Sequence, residues 1–408
     1  MFNRLSIAAL FLLALAGLPS QADLADGMNI YIDADFSQEP HVGEAIELGL
    51  KSALADTGGR IAGLPVSVRR LDHRTSPRRS KRNFATFLED RNAIAMFGGK
   101  QSPPYLTYGA FINANQVPLL LGWAAAAPVT RMADGNSNYI FRLSVDDSQA
   151  GPFLVDQALA EGCQDIALVL VDTGWGRANL DTMTAALAAK QRTPALTVMV
   201  PTDTGTATAR NMARDVAKSG VQCVLAVLTV DTGETVLAAL HELAVPVDVL
   251  AHWGIVGAGF PLTVTYKMRE TLRLRFLQTC GLSIERSGSK ALSRAIAQAA
   301  KLNATIHSLS DIDAHAGFVH GYDLGRIFRA AAEQAAETDQ WSDGPMARRA
   351  ALRDALAALE QPVDGILKVY HPPFADLSQN RRDGHEALGK ESLCLAKFDE
   401  ENRIVPVQ

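Results

Sequence analysis

The sequence predicts an α/β protein made of two doubly wound, mainly parallel sheets, and three observations carry that prediction. Short apolar runs are continuous in Val, Ile and Leu rather than alternating, as strands covered on both faces require. Each run is followed by a stretch with helical spacing, so the repeating unit is strand, helix, strand. The alternation occurs as two sets of units, separated near Tyr139–Asp147. A chain of 408 residues is long enough for two or three domains of roughly 150 residues each.

In the first set, Met28–Ala34, Val66–Leu71, Ala93–Phe97 and Pro118–Leu121 read as buried strands, with helices at Val42–Ala55, Arg79–Leu88 and Pro104–Asn115 between them. The second set has strands at Ile166–Val171, Leu196–Val200, Val224–Leu228 and Val247–Ala251. Its helices fall at Ala178–Lys190, Ala207–Ser219 and Thr232–Leu243. The remaining chain is mainly helical, at Lys290–Lys301, Ala314–Glu337 and Ala347–Leu359, and ends in short strands near Ile366–Tyr370 and Leu393–Phe398. A basic segment, Arg69–Arg82, reads as a solvated loop and helix start.

The first 22 residues set the compartment. Arg4 precedes the apolar run Leu5–Leu18, and Pro19-Ser20-Gln21-Ala22 places small residues ahead of Asp23. That is the layout of a cleaved secretory signal peptide. The apolar run is shorter than the ~20 residues that span a bilayer, and no cysteine follows it to carry a lipid. A periplasmic location follows. An oxidising compartment permits disulfides, and Cys163 and Cys223 each precede an apolar run. Two buried free thiols are nonetheless the plainer reading of that pair.

Composition and missing motifs exclude several function classes. Hydrophobic residues make up 48% and charged residues 20%, and Lys+Arg 39 against Asp+Glu 44 gives a net charge of −5. The balance is too acidic for a nucleic-acid footprint over the whole chain. The four cysteines form no CxxC pair, which argues against a zinc ribbon or a disulfide-dense scaffold. No GxGxxG follows the first strand, Gly98-Gly99-Lys100 lacks the rest of a P-loop, and neither GxSxG nor HExxH occurs. His315 and His320 lie five apart on a predicted helix, on different faces, so they read as surface or partly buried residues and not as metal ligands. No metal and no cofactor is expected.

Several ordered segments together resemble a known family. They are Asp35–Gly49 (DFSQEPHVGEAIELG), Phe97–Ser102 (FGGKQS), Leu119–Pro128 (LLLGWAAAAP), Phe141–Pro152 (FRLSVDDSQAGP), Asp172–Gly176 (DTGWG), His252-Trp253-Gly254 and Gly321–Arg326 (GYDLGR). With the signal peptide, this series resembles the type I periplasmic solute-binding proteins of ABC transporters, in the Leu/Ile/Val-binding and amide-binding branch. The resemblance implies two Rossmann-like lobes joined by a three-crossing hinge. Lobe I would take residues 23–145 and 281–392, and lobe II residues 146–280 and 393–408. It also implies a small ligand held in the interlobe cleft by closure, and a permease in the inner membrane as partner. A periplasmic receptor for a membrane sensor kinase or chemoreceptor would use the same cleft. Enzymatic activity and nucleic-acid binding are not expected.

The quoted segments fall just after predicted strands, where open α/β sheets present loops and helix N-termini to a crevice. The loop after Ala93–Phe97 offers Lys100, Gln101 and Ser102. Ser102 matches the serine with which the family bonds a ligand carboxylate, and it is equally a candidate N-cap. The next loop offers Trp123, Ala124, Ala125 and Ala126, with Ala126 standing where relatives usually have a hydroxyl. Asp147 matches an acid near the ligand, or caps the hinge. Trp175 stands where relatives carry an aromatic lid. His252-Trp253 stands where amino-acid-binding relatives place a carboxylate for the ligand ammonium, and Val42 replaces a tyrosine at the cleft edge. An ordinary branched-chain amino acid therefore fits poorly. Three of the four tryptophans map to cleft loops, Trp341 being the exception. Aromatic walls with one cation, Lys100, suit a planar ligand bearing an acidic group.

Overall fold

A computed structural model of the protein describes residues 27–133, 137–257, 259–280, 289–376 and 384–407. The signal peptide read over residues 1–22 lies outside the described residues. From its start the chain lays down β1 (Met28–Ala34), α1 (Pro40–Leu54), β2 (Arg60–Ile61), β3 (Leu64–Asp72), α2 (Pro77–Glu89), β4 (Ala93–Gly98), α3 (Pro103–Ala114), β5 (Leu119–Leu121) and β6 (Ile140–Arg142). These strands form one sheet in the order β2-β3-β1-β4-β5-β6. Every pair is parallel except β2 with β3. All seven residues of β1 are buried, yet the expected unbroken apolar run is not found there: Asn29, Tyr31 and Asp33 alternate with its apolar residues. Proline opens α1, α2 and α3, so these helices begin a residue or two ahead of their apolar periodicity. Proline suits a first turn because its φ is already helical and no N–H is needed there.

The second series is α4 (Asp147–Ala160), β7 (Ile166–Val171), α5 (Gly174–Ala189), β8 (Leu196–Val200), α6 (Thr206–Ser219), β9 (Cys223–Val227), α7 (Val230–Glu242), β10 (Asp248–Ala251), α8 (Phe260–Thr263), α9 (Tyr266–Thr271) and β11 (Arg275–Thr279). The chain then forms α10 (Lys290–Leu302), α11 (His315–Ala335), α12 (Pro345–Ala357), β12 (Val363–Asp364), β13 (Val369–Tyr370), β14 (Leu393–Phe398) and β15 (Ile404–Pro406). The second sheet runs β15-β14-β11-β10-β9-β7-β8. It is parallel from β11 to β8, while β14 and β15 join antiparallel. The fold is thus two doubly wound, parallel-dominated sheets.

The helices after β11 pack on the first sheet, not the second. α11 lies along α1, where Gly49 and Gly321 let the backbones meet: a methyl on either would overlap the carbonyl of Phe318 or Ile46. On α12, Arg349 donates to the Ala93 carbonyl at 3.0 Å and lies over the Phe87 ring. β14 then carries the chain back to the second sheet. One continuous core runs through both sheets, and a smaller one built on Phe84, Phe87, Tyr105 and Ile112 backs the first. Among the described residues no helix is long and apolar enough to cross a membrane.

Several expectations need correction. Cys163 and Cys223 are not free thiols but a disulfide, with Cα atoms 6.0 Å apart. The pairing of β7 with β9 brings the turn before β7 against the first residue of β9. The strand expected over Ile366–Tyr370 shrinks to Val369–Tyr370. The N–H groups of Ile366 and Leu367 go instead to the Asp323 carboxylate, at 2.6 and 3.0 Å. His320 is fully buried and His315 is 9% exposed, because α11 is wedged between α1 and the core instead of showing a face to solvent. The seven basic residues of Arg69–Arg82 are exposed, as a solvated segment should be, although Arg69 and Arg70 lie on β3 and not in a loop.

Candidate functional site

The site is built on loops at the carboxyl ends of β4, β5 and β10 and on the first turns of α4 and α5. After β4, the Tyr105 hydroxyl donates to the Asp33 carbonyl and accepts from Gly99 N–H, both at 2.8 Å, which pins the turn that carries Lys100, Gln101 and Ser102. Lys100 Nζ lies 3.1 Å from Glu39 Oε2, so the expected cation has a carboxylate partner. Gln101 donates weakly to the same carboxylate at 3.5 Å, and its Oε1 is buried without a hydrogen bond. Ser102 precedes α3, yet its side chain does not cap that helix. Its Oγ instead accepts Ala126 N–H at 3.2 Å and ties the first loop to the next.

The loop after β5 is held from beneath by Arg142, which is fully buried. Its guanidinium donates to the carbonyls of Ala126 at 2.9 Å and Ala124 at 3.4 Å, and forks onto Glu386 with two bonds of 2.7 Å. Asp146 joins at 3.1 Å and also accepts from Arg131. The two carboxylates hold the Arg142 proton more firmly than usual, against the opposing effect of burial. Ala125 is fixed by a different bond: its carbonyl accepts Asp147 N–H at 2.9 Å. Ser144 Oγ donates to the Trp123 carbonyl at 2.9 Å. A run of alanines has no side-chain means of setting its own shape, and these four hydrogen bonds supply it.

From the second sheet come Asp147, Trp175, His252 and Trp253. Asp146 caps α4 by accepting Ser148 N–H, which places Asp147 in the first turn. His252 N–H donates to the Ala226 carbonyl at 2.7 Å, continuing the β10–β9 ladder by one residue. Both side chains are fully buried, and His252 Nε2 donates to Asp147 Oδ1 at 2.9 Å. Asp147 Oδ2 and His252 Nδ1 are buried without hydrogen bonds. Thr173 caps α5 and Gly176 packs where a methyl would overlap the Val171 carbonyl, so Trp175 is aimed inward. Its ring meets His252 edge-on, with centroids 5.0 Å apart.

Trp123 and Trp253 do not stand apart as two walls. They stack on each other, with centroids 5.0 Å apart and planes 24° from parallel, and both are nearly fully buried. Trp253 also leans on His320 at 5.7 Å. His320 donates from Nδ1 to the Gly122 carbonyl at 2.7 Å and accepts the Thr279 hydroxyl at Nε2, 3.2 Å away. Burial holds its pKa down to about 4, so the ring is neutral. Trp175, His252, Trp253, Trp123 and His320 thus form one continuous train of rings spanning both sheets. Trp341 lies away from it, beneath Arg348.

A family model described as periplasmic binding protein matches residues 36–389. The chain belongs to the periplasmic binding protein family. No curated protein matches it in sequence. Among solved structures, a type 1 periplasmic binding protein from Bordetella pertussis Tohama I is similar with a TM-score of 0.75 at 16% identity, covering 94% of this chain and 100% of that one. An ABC transporter solute-binding protein from Rhodopseudomonas palustris HaA2, in complex with p-hydroxybenzoic acid, gives a TM-score of 0.71 at 15% identity, covering 93% and 95%. A substrate-binding protein from Desulfitobacterium hafniense, in complex with Leu, gives 0.70 at 13% identity, covering 93% and 100%. At such identities the likeness is one of fold.

In this periplasmic binding protein the structure brings Ser102 against Ala126, Asp147 against both Ala125 and His252, and Trp175, His252 and Trp253 into one group with Trp123. Lys100 and Gln101 stand together on Glu39, beside the ring cluster's loop but bonded elsewhere. Sequence reasoning missed Arg142 and His320. Arg142 lay in a quoted segment, but its partner Glu386 is 244 residues away. His320 lay one residue before another quoted segment. Among the described residues no group of three His, Cys, Asp or Glu side chains could hold a metal ion.

Proposed function

We propose that this protein captures a small planar carboxylic acid, one that also carries a hydrogen-bond donor, between its two lobes and delivers it to an ABC permease in the inner membrane. The observation that carries this reading is the ring train: aromatic surface from both sheets converges around His252, whose Nδ1 is buried without a hydrogen bond, as is Oδ2 of its partner Asp147. A buried polar atom without a hydrogen bond costs about 1–3 kcal/mol, which a matching ligand group recovers. Flat aromatic surface favours a flat guest, at about 0.5–1.5 kcal/mol per ring pair beyond area burial.

In this reading, lobe I is residues 23–145 with 281–392, and lobe II is residues 146–280 with 393–408. Lys100, Gln101, Ser102 and the Trp123–Ala126 loop meet the ligand from lobe I. Asp147, Trp175, His252 and Trp253 meet it from lobe II. Ligand binds the closed arrangement better than the open one and so populates it, which is the form a permease reads. The ligand leaves unchanged, with no catalytic step. The signal peptide directs export and is cleaved after Ala22. The proteins of similar fold solved with aromatic acids support this ligand class, and the lack of a carboxylate at Trp253 speaks against a free amino acid. Mass spectrometry of the small molecule released on denaturing the freshly exported protein tests it. An aromatic or other planar acid is expected; a branched-chain amino acid would overturn the ligand assignment.

A further inference from the structure

The proposed function leaves two cysteines unused. Cys163 and Cys223 are bonded to each other, whereas Cys280 and Cys394 are free. The free pair stands on neighbouring strands. β11 runs antiparallel to β14 with Gln278 opposite Cys394 and Thr279 opposite Leu393. The pairing continues one step past β11, where Cys280 N–H donates to the Ser392 carbonyl at 2.7 Å. Side chains alternate along a strand, so Cys280 shares the face of Gln278 and is the diagonal neighbour of Cys394. Both thiols are half-buried, within reach of a small reagent in solvent.

We infer that Cys280 and Cys394 form a second, reversible disulfide, which ties the strand by which the chain leaves the second sheet to the strand by which it returns. Their nearness on paired strands makes the two thiols act on each other, with the pKa of Cys280 lowered and that of Cys394 raised. Cys280 is therefore the sulfur that ionises first and attacks. The oxidant is an external disulfide. The Cys280 thiolate attacks one of its sulfurs, the external S–S bond breaks, and one thiolate departs. Cys394 gives up its proton and attacks Cys280 Sγ, breaking the mixed disulfide and expelling the second thiolate. Two cysteine thiols are oxidised, one external disulfide is reduced, and the two protons end on the two departing sulfurs. Cys163 and Cys223 are only 4% and 2% exposed, so the Cys280–Cys394 bond is the one a reductant reaches first.

The test uses the full chain, refolded with oxidised glutathione as the external disulfide, alkylated in denaturant without reduction, digested and weighed. A peptide cross-linked through Cys280 and Cys394 is expected, with no alkyl group on either. Alkyl groups on both, or a link from either to Cys163 or Cys223, overturns the inference. Cys280→Ser provides the second arm: Cys394 should take up one alkyl group while the Cys163–Cys223 link persists, and an unlabelled Cys394 there contradicts the pairing. Graded dithiothreitol on the native oxidised protein should free Cys280 and Cys394 before Cys163 and Cys223; the reverse order refutes the labile role.

Discussion

Trp123, after β5, stacks on Trp253, after β10, with ring centroids 5.0 Å apart. One ring belongs to each sheet, so this contact is a joint between the two halves of the molecule. Each ring is held by its own side: Trp123 through the Ser144 bond to its carbonyl, and Trp253 by the turn that follows His252. The stack therefore reports on how the halves meet.

A double-mutant cycle measures that joint. Trp123→Leu and Trp253→Leu each remove ring area, and the pair together should cost less than the sum. A coupling of about 0.5–1.5 kcal/mol is expected from urea denaturation. Strict additivity would show that the rings do not touch in solution.

Arg142→Met removes a buried cation and leaves Glu386 and Asp146 facing each other without it. A loss of about 3–5 kcal/mol in unfolding free energy is expected, since breaking a buried pair strands its partners. The Ala124–Ala126 loop loses two hydrogen bonds at the same time, so ligand affinity should fall as well. A change within about 0.5 kcal/mol, the range of ordinary surface substitutions, would contradict the network's role.

His320 sets a pH dependence. Its folded pKa of about 4 lies below the ordinary 6.5, so between those values the unfolded chain binds the extra proton. Its contribution is present above pH 6.5 and is lost as pH falls toward 4, worth about 3 kcal/mol in all. Asp323 acts with opposite sign: burial raises it to about 6, so its contribution is lost as pH rises from its ordinary 3.8 through 6. Comparison of the Tm–pH profiles of the wild type and His320→Asn isolates the histidine. The variant, whose amide can still donate to the Gly122 carbonyl, should lose part of the acid-side slope, the remainder coming from His315 and His385, which burial also holds down to about 4; parallel profiles would show that His320 is not neutral in the fold.

Trp175 is partly exposed and touches His252 with its edge, so removing it should spare the fold and cost binding. Trp175→Ala is expected to weaken affinity for a planar acid roughly threefold to tenfold, as a lost stacking partner of about 0.5–1.5 kcal/mol implies. Calorimetric titration checks it. Unchanged affinity would remove Trp175 from the site.

The fold was legible where burial is simple. β7 and β9 are apolar throughout because both faces are covered, and prolines mark the starts of α1, α2 and α3. It was illegible where a polar residue is paid for by a distant partner. β11 carries Arg275 and Gln278 into the core; Arg275 pairs with Glu161 and lies 3.8 Å from Asp248, so its strand does not read as apolar. α4 contains Pro152, which breaks helical reading although the helix runs through it. Of the candidate site, the loops were legible from their places after strands, and the indoles with them. The contacts were not: that Ser102 serves Ala126, that Lys100 rests on Glu39, or that two indoles meet face to face depends on register between distant segments.

The most direct test is a titration of the exported protein, followed by tryptophan emission, with benzoate, hydroxybenzoates and leucine as separate ligands. A guest entering beside Trp175 and the stacked pair should shift the emission saturably with the aromatic acids and leave it flat with leucine. Saturation by leucine alone, with no response to any aromatic acid, would contradict the account.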